Sequence, residues 1–262
     1  EASVNGTIAD VERLINDHPD LDINIKDNQG RTALMYAINK NRKEVAEVLL
    51  KNHPNLDIQD KKENTALIYA IKNNSTDVAK LLIEKGANLD IQGNEGKTAL
   101  IFAAKNNKLE LAELLLKHNA STDITDYKGG RTALILAAKN NCIPIVRLLI
   151  EKRASLDLKD SFTGNTALMH AVIQDNKDIA DLLIKNKADL NVRNSKTGKT
   201  ALMCTMEPTY QRKDIAKLLI DNKANLTITD NEGKTALIYA QKYGATDIAK
   251  WLEEAAANST TP

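Results

Sequence analysis

The stretch TALIFAAKNNKLELAELLLKHNA, Thr98–Ala120, decides the fold. Thr98 is a residue type that caps helices, because its hydroxyl can accept from an orphan amide of the first turn. Leu100 and Ala103 fall three residues apart, on one helical face. Asn107 tolerates the left-handed conformation that often ends a helix. Glu110 suits the positive end of a second helix, whose LAELLL block starts at Leu111 and carries the doublet Leu115-Leu116. The stretch therefore predicts two short helices joined by a tight turn. Helices of that length are marginal alone in water, so packing against neighbours has to hold them.

The neighbours are written in the rest of the chain. TAL recurs at Thr32, Thr65, Thr98, Thr132, Thr166, Thr200 and Thr235, at spacings of 33, 33, 34, 34, 34 and 35 residues. An aliphatic block follows each triplet after 13 residues, except in the sixth repeat, where the offset is 15. The sixth repeat also has Thr205 where the others have Ala, and an insertion around Glu207-Pro208-Thr209-Tyr210, which makes it the least regular. Stacking is predicted on the doublets Leu49-Leu50, Leu82-Ile83, Leu115-Leu116, Leu149-Ile150, Leu183-Ile184 and Leu219-Ile220. The last doublet is Leu252-Glu253, and its charge predicts that the stack ends there. Elements such as GANLDIQ (Gly86–Gln92) and KADLNVR (Lys187–Arg193) close most repeats.

This pattern, D-x-x-G-x-T-x-L-x-x-A, then an aliphatic helix, then A-(D/N)-L-(D/N), resembles the ankyrin repeat over nearly the whole chain. Two departures are systematic. Ala stands where the family usually has Pro after Thr. Met35, Ile68, Ile101, Ile135, Met169, Met203 and Ile238 stand where it usually has His. Both remain compatible with a helix. The resemblance implies an all-α fold, an ankyrin-repeat solenoid of stacked helix-turn-helix units with projecting β-hairpin fingers. The expected division is a capping half-repeat at 1–26, repeats at 27–59, 60–92, 93–125, 126–159, 160–193 and 194–229, and a capping repeat with its tail at 230–262. Gly6–Ile15 reads as the second helix of the opening cap, and Ala255–Pro262 as a frayed tail. Glu1 is not a translational start, so the chain is expected to be processed or cut from something longer.

Composition narrows the chemistry. The chain has 36 Lys and Arg against 35 Asp and Glu, for a net charge of +1, which gives no global attraction to nucleic acid. Only nine residues are aromatic, so the core is aliphatic. Two cysteines, Cys142 and Cys204, cannot build a disulfide scaffold or a multi-Cys zinc site. No apolar stretch is long enough to span a membrane. HExxH, GxSxG, CxxC and the P-loop are missing from the sequence, and no pair of the four histidines has metal-ligand spacing. The expectation is a non-enzymatic chain with no cofactor, no metal and no catalytic residue, monomeric and cytosolic in its own cell or in a host.

The informative pattern is the charge of the fingers that precede each TAL. Leaving out the leading Asp, they hold Lys26, Arg31, Lys61, Lys62, Lys97, Lys128, Arg131, Lys159, Arg193, Lys196, Lys199 and Lys234 against three acids, Glu63, Glu95 and Glu232. Lys105 and Lys139 add charge near the ends of first helices. Three fingers are one residue longer, Tyr127–Arg131, Ser161–Asn165 and Ser195–Lys199, and two of them carry the aromatics Tyr127 and Phe162. Aromatics and Arg are enriched in interface hot spots. The expected partner-binding residues are therefore Arg31, Lys61, Lys62, Lys97, Lys105, Tyr127, Lys128, Arg131, Lys139, Phe162, Arg193, Lys196 and Lys199.

In ankyrin arrays the finger row and first helices form the usual binding face. The resemblance thus implies a scaffold for a protein partner with an acidic surface. Two other readings stand beside it. The array could be the targeting module of a larger effector or regulatory protein, such as a pathogen protein acting on host components. The basic fingers could also bind nucleic acid or anionic headgroups, against which the near-neutral charge and the lack of interleaved aromatics stand. The stripe Tyr36, Tyr69, Phe102, Leu136, His170, Cys204 and Tyr239 recurs at one position of the first helices and reads as core.

Overall fold

The structure, a computed structural model, describes residues 6–207 and 210–259. Among these there are fourteen α-helices and no β-strand; Met206 and Gln211 form an isolated antiparallel bridge. The chain divides into two compact halves, Glu1–Tyr127 and Lys128–Pro262. Each is an all-α stack of helical repeats, the solenoid architecture that the resemblance implies.

In the first half α1 (Ile8–Asp17) precedes three helix pairs: α2 (Ala33–Asn39) with α3 (Lys43–Lys51), α4 (Ala66–Lys72) with α5 (Thr76–Glu84), and α6 (Ala99–Lys105) with α7 (Leu109–Lys117). First helices pack on first helices, α2 on α4 on α6, and second helices on second helices, α1 on α3 on α5 on α7. In the second half α8 (Ala133–Lys139) pairs with α9 (Ile143–Glu151), and α10 (Ala167–Ile173) with α11 (Lys177–Lys185). A 3-10 turn, Met203–Thr205, stands in place of a first helix before α12 (Lys213–Asp221). The last pair is α13 (Ala236–Lys242) with α14 (Thr246–Ser259).

The repeated residues act as their chemistry requires. All seven TAL threonines accept through Oγ1 from the amide three residues on, at 3.2–3.5 Å. Asn41, Asn74, Asn107, Asn141, Asp175 and Gly244 all take positive φ, between 52° and 65°, and turn the chain from first helix to second. The Leu of each TAL except the last is buried, as are both residues of five predicted doublets; Ile150 of the sixth is half-buried. Removing such a side chain from water contributes about 1.5–3 kcal/mol. Leu252 is buried and Glu253 exposed, so the final doublet packs on one side only.

The A-(D/N)-L-(D/N) element is a hydrogen-bond relay. Asn55 Oδ1 accepts from Asp57 N in its own turn, and Asp57 Oδ1 accepts from Asn88 N of the next repeat. Asn88 Oδ1 then takes Asp90 N, and Asp90 Oδ1 takes Ser121 N. In the second half Asp157 receives Asp189 N and Asn191 receives Asn225 N.

Helix α1 is closed by a capping box, with Asp10 N donating to Thr7 Oγ1 at 3.2 Å and Thr7 N to Asp10 Oδ2 at 2.8 Å. The expectation of a frayed tail from Ala255 is corrected for 255–259, which are helical. Helix α14 continues to Ser259, because EEAAAN has high helix propensity and no breaker interrupts it. Residues 260–262 lie outside the described residues.

Candidate protein-interaction surface

Six of the fingers are turns closed by a hairpin-type hydrogen bond from the leading residue. Asp27 N donates to Arg31 O at 2.9 Å, Asp60 N to Asn64 O at 3.1 Å, and Asp230 N to Lys234 O at 3.0 Å. In the fifth and sixth repeats the extra residue widens the inner turn. Gly164 N bonds Asp160 O four residues back, whereas Gly30 N bonds Asp27 O only three back. Tips are tied to their neighbours by bonds such as Lys61 N to Gln29 O and Ser161 N to Gly129 O, both 2.8 Å. Gly164 is required by this closeness. Its φ is +80°, and a Cβ there would stand 2.5 Å from Ser195 Oγ.

The leading aspartates do not face solvent as loose charges. Tyr36 Oη donates to Asp27 Oδ2 at 2.9 Å, Tyr69 to Asp60 at 2.6 Å and Tyr239 to Asp230 at 2.6 Å. In the fifth repeat His170 Nε2 meets Asp160 Oδ2 at 2.7 Å. Four members of the aromatic stripe thus latch a finger to the first helix behind it. Burial and the Asp60 carboxylate push the Tyr69 phenol up, as burial and Asp230 do for Tyr239. Burial pushes the Asp27 carboxyl up, but bonds from Arg31 and Tyr36 outweigh it and hold the group well below the usual range. Burial pulls His170 below the ordinary histidine value against the opposing pull of Asp160.

The predicted cations separate into two classes. Arg31 is engaged at home: its Nη2 bonds Asp27 Oδ2 at 2.9 Å and its guanidinium lies 4.1 Å from the centroid of Tyr36. Lys97 is a correction. It is only 2 % exposed and its ammonium pairs with Glu95 beside the Phe102 ring, so it does not belong to the contact surface. Lys61 and Lys62 are exposed, and no carboxylate pairs with either among the described residues. Lys105 is exposed at the end of α6.

In the second half Lys128 is exposed, Arg131 is half-buried against Gly129, and Lys139 is half-buried at the end of α8. Arg193 is exposed and donates to Gly198 O at 3.3 Å and Asn231 Oδ1 at 3.1 Å. Lys196 bonds the carbonyl of Phe162 and stands 5.6 Å from the centroid of its ring. Lys199 stands 4.5 Å from the centroid of Tyr239.

The two tip aromatics differ. Tyr127 is 68 % exposed but leans back on the preceding finger, with its ring over Gly96 and its hydroxyl 3.4 Å from Gln92 Oε1. Phe162 is 70 % exposed, with Lys196 alongside.

The sequence reading missed two devices. One is the latch, whose signal is Asp and Tyr nine residues apart in three repeats. Where the leading residue is Gly93, the stripe carries Phe102, which has no hydroxyl to give. The other is Arg212, 7 % exposed, which donates to Cys204 O at 3.2 Å and Ile173 O at 2.7 Å. Of the irregular insertion, Pro208 and Thr209 lie outside the described residues, and Tyr210 is exposed.

Among the described residues no group of three or more His, Cys, Asp or Glu is placed to hold a metal, and no helix is long and apolar enough to cross a membrane. Cys142 and Cys204 are buried; burial pushes the Cys204 thiol up to about 11, which keeps it protonated at neutral pH.

The family model described as ankyrin repeats (3 copies) matches residues 1–93, 50–126, 78–160, 122–194 and 168–261. The crystal structure of the ankyrin repeat domain of Bcl-3, a member of the IkappaB protein family, is similar with a TM-score of 0.77 and 24 % identity, over 86 % of this chain and 100 % of that one. No curated protein matches the chain.

Proposed function

The chain belongs to the ankyrin-repeat family, and from that premise we propose that its second half binds an acidic protein partner along the fifth and sixth fingers. Domains of this family are in general non-enzymatic modules for protein–protein interaction. The observation that carries the finer reading is Phe162: a large apolar ring held 70 % in solvent at a finger tip, with the Lys196 ammonium 5.6 Å from its centroid. An aromatic anchor with a cation beside it is suited to an acidic segment that also carries an apolar side chain. Arg193 and Lys199 extend the cationic edge, with Lys128, Arg131 and Lys139 on the preceding repeat. In the first half Lys61, Lys62, Lys105 and Tyr127 offer a weaker counterpart, because Tyr127 already packs on its own chain and Arg31 and Lys97 are neutralised by Asp27 and Glu95.

Panning a random peptide display library on the intact chain tests the reading. The enriched peptides are expected to be rich in Asp and Glu around an apolar residue, and to bind more weakly at high salt. Phe162→Ala should weaken them by about 1 kcal/mol or more. Enrichment of neutral or basic peptides, or unchanged binding by Phe162→Ala, would contradict it.

A further inference from the structure

Between the sixth finger (194–199) and the seventh (230–234) lies a cleft of about 370 Å³, at the small end for a ligand site. Its wall is two touching rings, Tyr239 and Tyr243, with centroids 5.9 Å apart. A lysine stands over each: Lys199 Nζ is 4.5 Å from the centroid of Tyr239, and Lys242 Nζ is 5.3 Å from that of Tyr243. Neither ammonium has a carboxylate within ion-pair reach among the described residues. The acids of the cleft are already engaged by other groups of its lining. Asp230 is buried and accepts from Tyr239 Oη at 2.6 Å and from Glu232 N and Lys234 N at 2.9 Å. Glu232 is paired with Lys234.

The floor is fixed before any ligand arrives. Asn231 N donates to Thr197 O at 3.0 Å, Asn231 Nδ2 to Lys196 O at 2.9 Å, and Arg193 holds Asn231 Oδ1. The Thr197 hydroxyl accepts from Lys199 N at 3.3 Å and keeps its own proton to donate. The cleft thus gathers two uncompensated point charges and a hydroxyl donor on a rigid base. A carboxylate would leave one of the two ammoniums uncompensated. A phosphate monoester, with a charge near −2 and three acceptor oxygens, matches both and the hydroxyl as well.

We infer that this cleft receives a phosphate monoester borne by a side chain of the protein partner. The inference rests on the protein-binding reading above but uses residues other than its aromatic anchor.

The test is an NMR titration at constant ionic strength, read at the amides of Thr197, Lys199 and Asn231. The probes are a short phosphoserine peptide, the same peptide with serine or glutamate in its place, and inorganic phosphate. Saturable shifts with the phosphopeptide are expected, with none from the serine peptide. The glutamate peptide and inorganic phosphate should each bind several-fold more weakly. Lys199→Ala and Lys242→Ala should each weaken the phosphopeptide roughly tenfold, the loss of one hydrogen bond to a charged group. Phe162→Ala should leave these shifts unchanged while lowering acidic-peptide capture, which separates a failure of this inference from a failure of the anchor. Equal binding of the glutamate and phosphoserine peptides, or of inorganic phosphate and the phosphopeptide, would overturn the assignment, as would indifference to both lysine variants.

Discussion

The fifth and sixth repeats start alike, at Thr166 and Thr200, and both end in nine-residue second helices, α11 and α12. In the finger and the first helix they part. In the fifth, Asp160 is latched by His170 and α10 runs its full seven residues. In the sixth, Asn194 and Cys204 occupy the two latch positions, and Asn194 Nδ2 instead reaches back to Thr163 O and Asn165 Oδ1. The first helix shrinks to a 3-10 turn, and the buried Arg212 at the head of α12 gathers the carbonyls of Cys204 and Ile173. The difference teaches that a repeat needs its finger and first helix tied to the stack, but not by one fixed residue pair. In the sixth repeat, where the latch is lost, Arg212 instead ties the shortened first helix to the end of α10.

The largest effect that could break this comparison is at Arg212. Arg212→Met leaves the buried Cys204 carbonyl and the part-buried Ile173 carbonyl without their donor and should destabilise the second half by about 3 kcal/mol. Asn176 holds the matching cap position of α11, where its side chain accepts from Ile179 N at 3.4 Å. Asn176→Ala should therefore cost about 1 kcal/mol or less. Urea unfolding followed by the fluorescence of Trp251, the one tryptophan, measures both. Equal losses would mean that Arg212 is merely another cap.

The next effect is the pH dependence of the fifth repeat. The folded pKa of His170 lies below the ordinary value of 6.5, so as pH falls through 6.5 the unfolded chain takes up the proton first. Stability is accordingly lost from about pH 6.5 downward, until the folded histidine also titrates. Asp160 adds a separate loss at lower pH, since its folded pKa is held down by Thr163 and His170 against its burial. His170→Tyr recreates the pair seen at Asp60 and Tyr69. Unfolding free energies at pH 7.5 and 5.5 should fall less in this variant than in the parent chain. An identical fall in both would show that the latch does not sense protons.

A third change sharpens the comparison from the first half. Asn165 finds Asn194, but the matching Asn64 faces Gly93, and neither of its buried side-chain polar atoms has a partner. Gly93→Asn would supply one. The new Cβ would meet Ile68 Cδ1, the movable end of a side chain, at 2.5 Å. The expected gain is about 1 kcal/mol by urea unfolding; a loss would mean that Ile68 does not yield.

The smallest effect concerns the ends of the second helices. Lys187 and Lys223 take φ of 69° and 63° where Gly86 takes 85°. Lys223→Gly should stabilise by roughly 0.5–1 kcal/mol, by relieving a side chain in the left-handed region. A thermal melt checks it.

The helices, their caps and their turns were legible because each depends on a single residue type: Thr at the start, Asn or Gly at the left-handed turn, paired aliphatics in the core. The finger surface was legible only as composition. Counting finger cations could not reveal that Asp27 neutralises Arg31 or that Lys97 is buried beside Glu95, since those pairings depend on how the turn folds over. The Asp–Tyr latch left a signal at a spacing of nine residues, yet it becomes visible only once finger and helix are seen face to face. Arg212 gave no warning, because a lone arginine before a helix looks like any surface charge.

Hydrogen-exchange footprinting of the chain, with and without an acidic peptide selected by the panning above, tests the central claim most directly. The account predicts slowed exchange at residues 160–165 and 194–199, reduced by Phe162→Ala. Protection confined to the second helices at 177–185 and 213–221, with the fingers unchanged, would contradict it.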